Sequence, residues 1–419
     1  MTRSNRPIEA NLPHDASRGE GERAPDGSSR ERSEPIARSP VFSRRNALSL
    51  GVASLASLPT IGCSGRGRST VTFGVLAAKT GARSVWGNDL LRGIELAIER
   101  ANARGGLHGR RVRLAITDGR SRDEQAATFA KQLCEREDSV VVFGELGSAA
   151  SERAANACAE KSVPFVAVGS TARDVSRANE FAFRVAPTDI EHALALAKYT
   201  RQTLQKRRVA VLYRRNSVLQ LQLADAFAEA MRRNGGDVLV RETFSDVDTD
   251  VVALANQLRG ANPEVVFVPT LAADGARVAL ALRNARVTGQ LLATDGWRSE
   301  AVFAVGAEAV TGAIVTDAFA PTAPRPATEA FVQVFRERFR AEPGTFAALG
   351  FDAARWVLSV ATRVPSLESR PMRDAMAGSQ FDDGATGPLT VDARRMLTRP
   401  VQLLRIERDR FTYVDAVAP

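Results

Sequence analysis

The residues best suited to chemistry sit in four short segments. They are Ala77-Ala78-Lys79-Thr80-Gly81 with Trp86-Gly87 close behind, Gly144-Glu145-Leu146-Gly147-Ser148, Gly169-Ser170-Thr171, and Thr294-Asp295-Gly296. Each follows a short apolar run. In the first three, small residues and hydroxyls stand where helices begin. Free backbone N–H groups and the helix dipole favour negative charge there, so these segments suit a carboxylate. Asp295 offers the opposite sign, and its carboxylate could meet an ammonium. Taken singly, Ser148 and Thr171 also suit plain helix N-caps. Together, at one end of one sheet, they favour a site.

Other chemistries find little support. The chain has three Cys and three His, no C-x-x-C pair, and no His near a second candidate ligand, which disfavours a zinc site. No G-x-S-x-G occurs, and His14, His108 and His192 stand in polar or helix-start contexts. Of the 419 residues, 44% are hydrophobic and 25% charged, which is ordinary for a globular protein and excludes wholesale disorder or a polytopic membrane protein. Aromatics make up only 6%, too few for a nucleic-acid stacking platform. The net charge of +9 is spread along the chain, and its one visible cluster, Lys206-Arg207-Arg208, reads as a solvated helix end. The expectation is a protein without metal, cofactor, nucleic-acid partner or enzymatic activity.

The elements that must position these segments alternate regularly. Short apolar runs at 71–76, 112–116, 139–143 and 165–168 read as strands, and amphipathic stretches at 88–104, 123–135 and 148–161 as helices. The alternation resumes after Pro187, with helices at 190–205, 219–233, 249–259 and 274–285 and strands at 209–212, 238–242, 265–268 and 290–293. Such alternation implies parallel sheets covered on both faces, here as two α/β lobes. Residues 326–376 read as mainly helical, and 387–391, 401–406 and 411–414 as closing strands.

The N-terminal part has a different character. Residues 1–40 are rich in Arg, Ser, Glu, Pro and Gly, a composition expected of disorder. The basic stretch Ser43-Arg44-Arg45-Asn46 then precedes an apolar run from Ala47 to Leu58, and Gly62-Cys63 ends the pattern. This order describes an export signal, and its apolar run is too short to span a bilayer. Gly62-Cys63 resembles a bacterial lipobox, with Cys63 as the lipidated residue, although Thr60 stands where Leu is usual. Ser43-Arg44-Arg45 also resembles a twin-arginine signal, so both export routes stay open. Val41, read as a start codon, would leave a signal of ordinary length.

Several short motifs carry a family resemblance. They are Gly74-Val75-Leu76 with Thr80-Gly81, Gly93-Ile94-Glu95-Leu96-Ala97, Gly105-Gly106, Phe183-Arg184-Val185-Ala186-Pro187-Thr188-Asp189, Val209-Ala210-Val211-Leu212-Tyr213, Ala347-Ala348-Leu349-Gly350-Phe351-Asp352-Ala353 and Thr386-Gly387-Pro388-Leu389-Thr390. In their order and spacing, over 71–415, the chain resembles the branched-chain amino-acid binding proteins. These are substrate-binding components of ABC importers in the leucine-binding group of type I periplasmic binding folds. The resemblance implies two doubly wound parallel-sheet lobes joined by three crossovers, with an amino acid held between them. Carried over by motif, Ser148, Gly169 and Thr171 would hold the ligand carboxylate, and Thr171 and Asp295 its ammonium. Trp86 would line the cleft, and Asp189, at the first crossover, would line it too. One departure is clear. Where the family shows a Tyr-Gly pair after the strand ending in Tyr213, this chain reads Arg214-Arg215-Asn216-Ser217-Val218-Leu219-Gln220.

The implied organisation is a leader (1–40), a signal segment (41–62), a tether (63–70), a first lobe in two parts (71–189 and 316–382) and a second lobe in two parts (190–315 and 383–419). The expected partners are a small-molecule ligand, an ABC permease and, through the lipid on Cys63, the outer face of a bacterial membrane. A ligand-sensing subunit of the same fold is the alternative. Cys134 and Cys158 fall on helices expected to cover one face of a sheet, so they are either a disulfide or two small buried hydrophobes.

Overall fold

The computed structural model describes residues 70–177, 179–245, 250–304 and 306–419. The leader, the signal segment with its lipobox, Cys63 and the tether up to residue 69 lie outside the described residues.

The first lobe opens with β1 (Thr70–Ala77), α1 (Ser84–Ala103), β2 (Arg111–Asp118), α2 (Ala126–Glu135), β3 (Val141–Gly144), α3 (Ser148–Glu160), β4 (Phe165–Ala167) and β5 (Ala182–Arg184). Its strands are all parallel, in the order β2-β1-β3-β4-β5. β1 is apolar and buried from its second residue onward because helices cover both its faces, whereas β2, at the edge, alternates with charge. The strand order reverses between β1 and β3, which opens a crevice beyond their C-terminal ends.

The second lobe repeats this plan with α4 (Asp189–Gln202), β6 (Arg208–Arg214), α5 (Val218–Arg233), β7 (Asp237–Phe244), α6 (Asp250–Ala261), β8 (Val265–Phe267), α7 (Ala272–Asn284), β9 (Gln290–Ala293), α8 (Ala307–Val310) and β10 (Ile314–Asp317). The chain then returns to the first lobe as α9 (Pro326–Phe339), α10 (Thr345–Ala361), α11 (Ser369–Met376), β11 (Gln380–Phe381), β12 (Leu389–Val391) and β13 (Leu397–Thr398). Finally β14 (Val401–Glu407) and β15 (Arg410–Val417) join the second sheet antiparallel, giving the order β7-β6-β8-β9-β10-β14-β15. Each sheet has an apolar core on both faces. Helices α1 and α10 approach closely at two glycines. A Cβ on Gly93 would strike the Ala347 carbonyl, and one on Gly350 the Leu90 carbonyl. No described helix is long and apolar enough to cross a membrane.

One expectation is corrected. The pattern over 383–419 reads as second-lobe strands throughout, but the structure divides it. β11, β12 and β13 form a separate antiparallel sheet. Phe381, Leu389, Val391 and Leu397 from this sheet enter the first lobe's core. Buried Asp352 on α10 holds this segment, accepting from the backbone N–H groups of Ala385 at 2.7 Å and Thr386 at 2.8 Å. Arg399 then pins the last crossover. Its Nη1 donates to the Val185 carbonyl at 2.6 Å, and its Nη2 to the Thr386 hydroxyl. Burial, with Arg184 and Arg325 nearby, lowers the Arg399 guanidinium to about 10 against the pull of Asp352.

Candidate functional site

The first lobe's face is built on the loops beyond β1, β3 and β4. Gly147 is the N-cap of α3 and has no side chain to cap it, so Ser148 is the helix's first residue and not its cap. The first-turn N–H groups are thus left for another acceptor. Ser170, fully buried, donates its hydroxyl to the Ser148 hydroxyl at 3.0 Å. Gly169 is confined: a Cβ there would meet Leu146 and the Phe346 ring at 3.0 Å. Thr171 follows, half-buried, and Trp86 stands 52% exposed in the first turn of α1, its ring 6.3 Å from Phe346.

This face is not made of neutral donors alone. A Cβ on Gly147 would collide with the Arg83 guanidinium, which therefore lies against the start of α3. Arg83 is paired with Asp123. Beneath them Glu145 is only 2% exposed, and one of its oxygens accepts from the Leu146 N–H at 2.9 Å. Burial pushes the Glu145 carboxyl up. Its own backbone bonds and the Arg83 charge oppose that shift, while Asp123 adds to it.

The second lobe supplies carboxylates. Asp295 sits half-buried in a short turn, Asp295–Trp297, clamped onto the end of β8. The clamp is Trp297. It is fully buried, its Nε1 donates to the Thr270 hydroxyl at 3.1 Å, and it occupies the space a side chain on Gly275 would need. Burial raises the Asp295 carboxyl, Asp189 and Asp317 raise it further, and His192 opposes them. Asp189 is the first residue of α4, where a capping box formed by Thr188 and Glu191 closes the helix start. The buried His192, one turn on, places its Nδ1 2.8 Å from the Thr316 hydroxyl. Asp317 is held by Arg298 Nε at 2.7 Å.

The structure therefore forms two groups: Trp86, Ser148, Gly169 and Thr171 on one lobe, and Asp189 with Asp295 on the other. The start of α10 joins them. Phe346 lies over Gly169, while Thr345 beside it bonds Asp317. Sequence reasoning missed Phe346, Thr345, Arg83 and Glu145. Glu145 lies inside a segment singled out for chemistry; Phe346 has no local signal, because its place depends on a chain return some 180 residues after β4.

At the second lobe's switch point, beyond β6 and β8, the family's Tyr-Gly pair is missing after Tyr213. Arg214 fills that place, its Nη2 bonded to Asp274 at 2.9 Å and its guanidinium 5.8 Å from the Phe244 ring. Val218, Leu219 and Leu271 nearby are exposed, which leaves this rim partly apolar. Cys134 and Cys158 do meet, on α2 and α3. Both are buried, with their sulfurs 3.5 Å apart, close enough for either a disulfide or a pair of small hydrophobes. Among the described residues no cluster of His, Cys, Asp and Glu is arranged to hold a metal ion.

Comparison with known proteins agrees with this architecture. The model of the periplasmic binding protein family matches residues 70–410. The chain is similar to a Leu/Ile/Val-binding protein homologue of Brucella melitensis, 26% identical over 268 residues, covering 64% of this chain and 72% of the relative. Its fold is similar to the leucine-binding protein LivK of Thermotoga maritima, at TM-score 0.67 and 26% identity over 83% of this chain and 99% of that one. It is also similar to LivJ of Streptococcus pneumoniae, the substrate-binding protein of a branched-chain amino-acid transporter, at TM-score 0.69 and 21% identity over 84% of this chain and all of that one. The chain belongs to the periplasmic binding protein family and is a binding protein.

Proposed function

We propose that this protein captures an amino acid with an apolar side chain between its lobes and delivers it to an ABC permease from the outer face of a membrane, where a lipid on Cys63 anchors it. The observation that carries the reading is the pairing of opposite chemistries. The uncapped start of α3, with Ser148, Gly169 and Thr171, suits a carboxylate. Asp295 is a desolvated carboxylate that gains most by meeting a cation. Asp189 adds negative potential, and Trp86 and Phe346 offer an apolar wall. Only a ligand that touches both lobes uses both sets of groups, so it favours the closed state. The Streptococcus pneumoniae relative, whose structure holds isoleucine, supports the ligand class. Arg214 in place of an aromatic argues for a side-chain preference of its own.

Calorimetry with leucine, isoleucine, valine and phenylalanine tests the reading, beside 4-methylpentanoate and isoamylamine, which each lack one charged end. At least one amino acid should bind. Each truncated analogue should bind roughly tenfold or more weakly, the cost of one charge-assisted contact. If the acid without an amine binds as tightly, Asp295 is not the ammonium partner. If no amino acid binds, the reading fails.

A further inference from the structure

We infer that the first lobe carries a second binding pocket, away from the cleft, for an amphipathic monocarboxylate: a hydrocarbon body with one carboxylate head. The pocket encloses about 530 Å³ between the C-terminal part of α1, the turn at Gly106-Leu107, the first half of α9 and the second half of α10. That volume lies within the range of about 300–1,000 Å³ usual for small-ligand sites. Arg100, on its rim, is 14 residues along α1 from Trp86, or about 21 Å at 1.5 Å per residue.

Small residues create the space. Ala97 and Ala101 on α1 line one side, and Ala327 and Ala330 on α9 line another, so nothing bulky fills the gap. Phe331 and Phe351 form an aromatic floor, their rings 4.7 Å apart. Beside the lining residues Leu107 and Thr362, His108 Nε2 meets the Ala361 carbonyl at 2.9 Å and ties the turn to α10.

The rim sets the sign of the ligand. Arg355 is already engaged: it donates to the Asp383 main chain at 2.7 Å and to that residue's carboxylate, and lies over Phe351 and Phe381. Asp383, the one acidic residue lining the pocket, is thereby matched. The Arg100 and Arg104 side chains are exposed and make no hydrogen bond or ion pair with a described residue. A cation in the last turn of α1 also balances the helix dipole. That explains the charge but not the apolar cavity beside it. Two uncommitted guanidinium forks above an apolar floor match one carboxylate on a hydrocarbon body.

The probe is decanoate below its micelle concentration, with decylamine as the opposite-charge control, titrated calorimetrically into the exported protein. Decanoate should bind one to one, and decylamine at least tenfold more weakly. Ala330→Trp, at an exposed position, should abolish decanoate binding while amino-acid affinity and thermal stability stay unchanged. The double variant Arg100→Glu, Arg104→Glu should weaken decanoate at least tenfold, and Thr171→Ala should leave it unaltered. Equal binding of decanoate and decylamine, no decanoate binding, or decanoate binding lost in Thr171→Ala but kept in the double variant would each overturn the pocket.

Discussion

The hydroxyl oxygen of Thr345 lies 2.9 Å from each carboxylate oxygen of Asp317. This contact ties the first turn of α10 to the end of β10, and so one lobe to the chain leaving the other. It also sets where Phe346 stands over Gly169. The two bonds to Asp317 differ in kind. Thr345→Val should cost about 1 kcal/mol, the net worth of one ordinary hydrogen bond. Arg298→Met should cost about 3 kcal/mol or more, because it strands a buried carboxylate without its counter-charge. Denaturant unfolding of both variants measures the difference, and equal costs would refute it.

Two substitutions test the cleft directly. Thr171→Ala and Asp295→Ala should each weaken amino-acid binding roughly ten- to a hundredfold, since each removes a contact to a charged ligand group worth about 1.5–3 kcal/mol. Calorimetry gives the ratio. An affinity unchanged by either would place the site elsewhere.

The raised Asp295 carboxyl predicts a pH dependence with a definite sign. Burial comes first among its causes, then the charges of Asp189 and Asp317, with His192 opposing. The fold thus favours the protonated form, and the stability it draws from that form is lost as pH rises through the raised folded value. Asp295→Asn should therefore stabilise the unliganded protein at neutral pH and lose that advantage toward about pH 4, the ordinary carboxylate range. An ammonium ligand needs the ionised form, so affinity should fall as pH drops through the same window, with proton release on binding above about pH 4. Titrations in buffers of different ionisation enthalpy detect the released protons. A flat affinity from pH 7 to 4 would dissociate Asp295 from the ligand.

The sulfurs of Cys134 and Cys158 are 3.5 Å apart and shielded from water. We expect an exported protein to carry them as a disulfide, formed by thiol–disulfide exchange with a disulfide-bearing oxidant of the compartment, which takes up the two electrons and two protons and leaves as its dithiol. The bridge would close a short loop between adjacent helices and add about 3 kcal/mol on the chain-entropy view. Peptide mapping without reductant should recover the two cysteines in one cross-linked peptide pair. Two alkylated thiols would mean a pair of small buried hydrophobes.

In the proposed reading, the lipid on Cys63 is the anchor. Cys63→Ser should move the protein from the membrane fraction to the soluble one, since no described helix is long and apolar enough to cross a membrane in the lipid's place. Retention in the membrane fraction would remove the lipobox from the account.

Periodicity made both sheets legible in the sequence. An apolar run such as Val71 to Leu76 must be buried on both faces, and helical stripes such as Leu90, Leu91 and Ile94 must cover it. The loops at strand ends were legible for the same reason, so Ser148, Gly169, Thr171 and Asp295 could be singled out. The pairing partners of late segments were not. Leu389 and Val391 alternate as a strand would, but alternation carries no address, and it is Asp352, 33 residues earlier than Ala385, that draws them into the first lobe. Nor does local pattern reveal charge balance. Arg83 lies against the α3 start because Asp123 and Gly147 leave it room there, and Glu145 is desolvated because loops from three elements close over it. Local pattern determined the elements, the family and the strand-end loops. Only the tertiary structure decided which distant side chains share one desolvated space, because burial and Coulomb interaction depend on separation through space, which spacing along the chain does not encode.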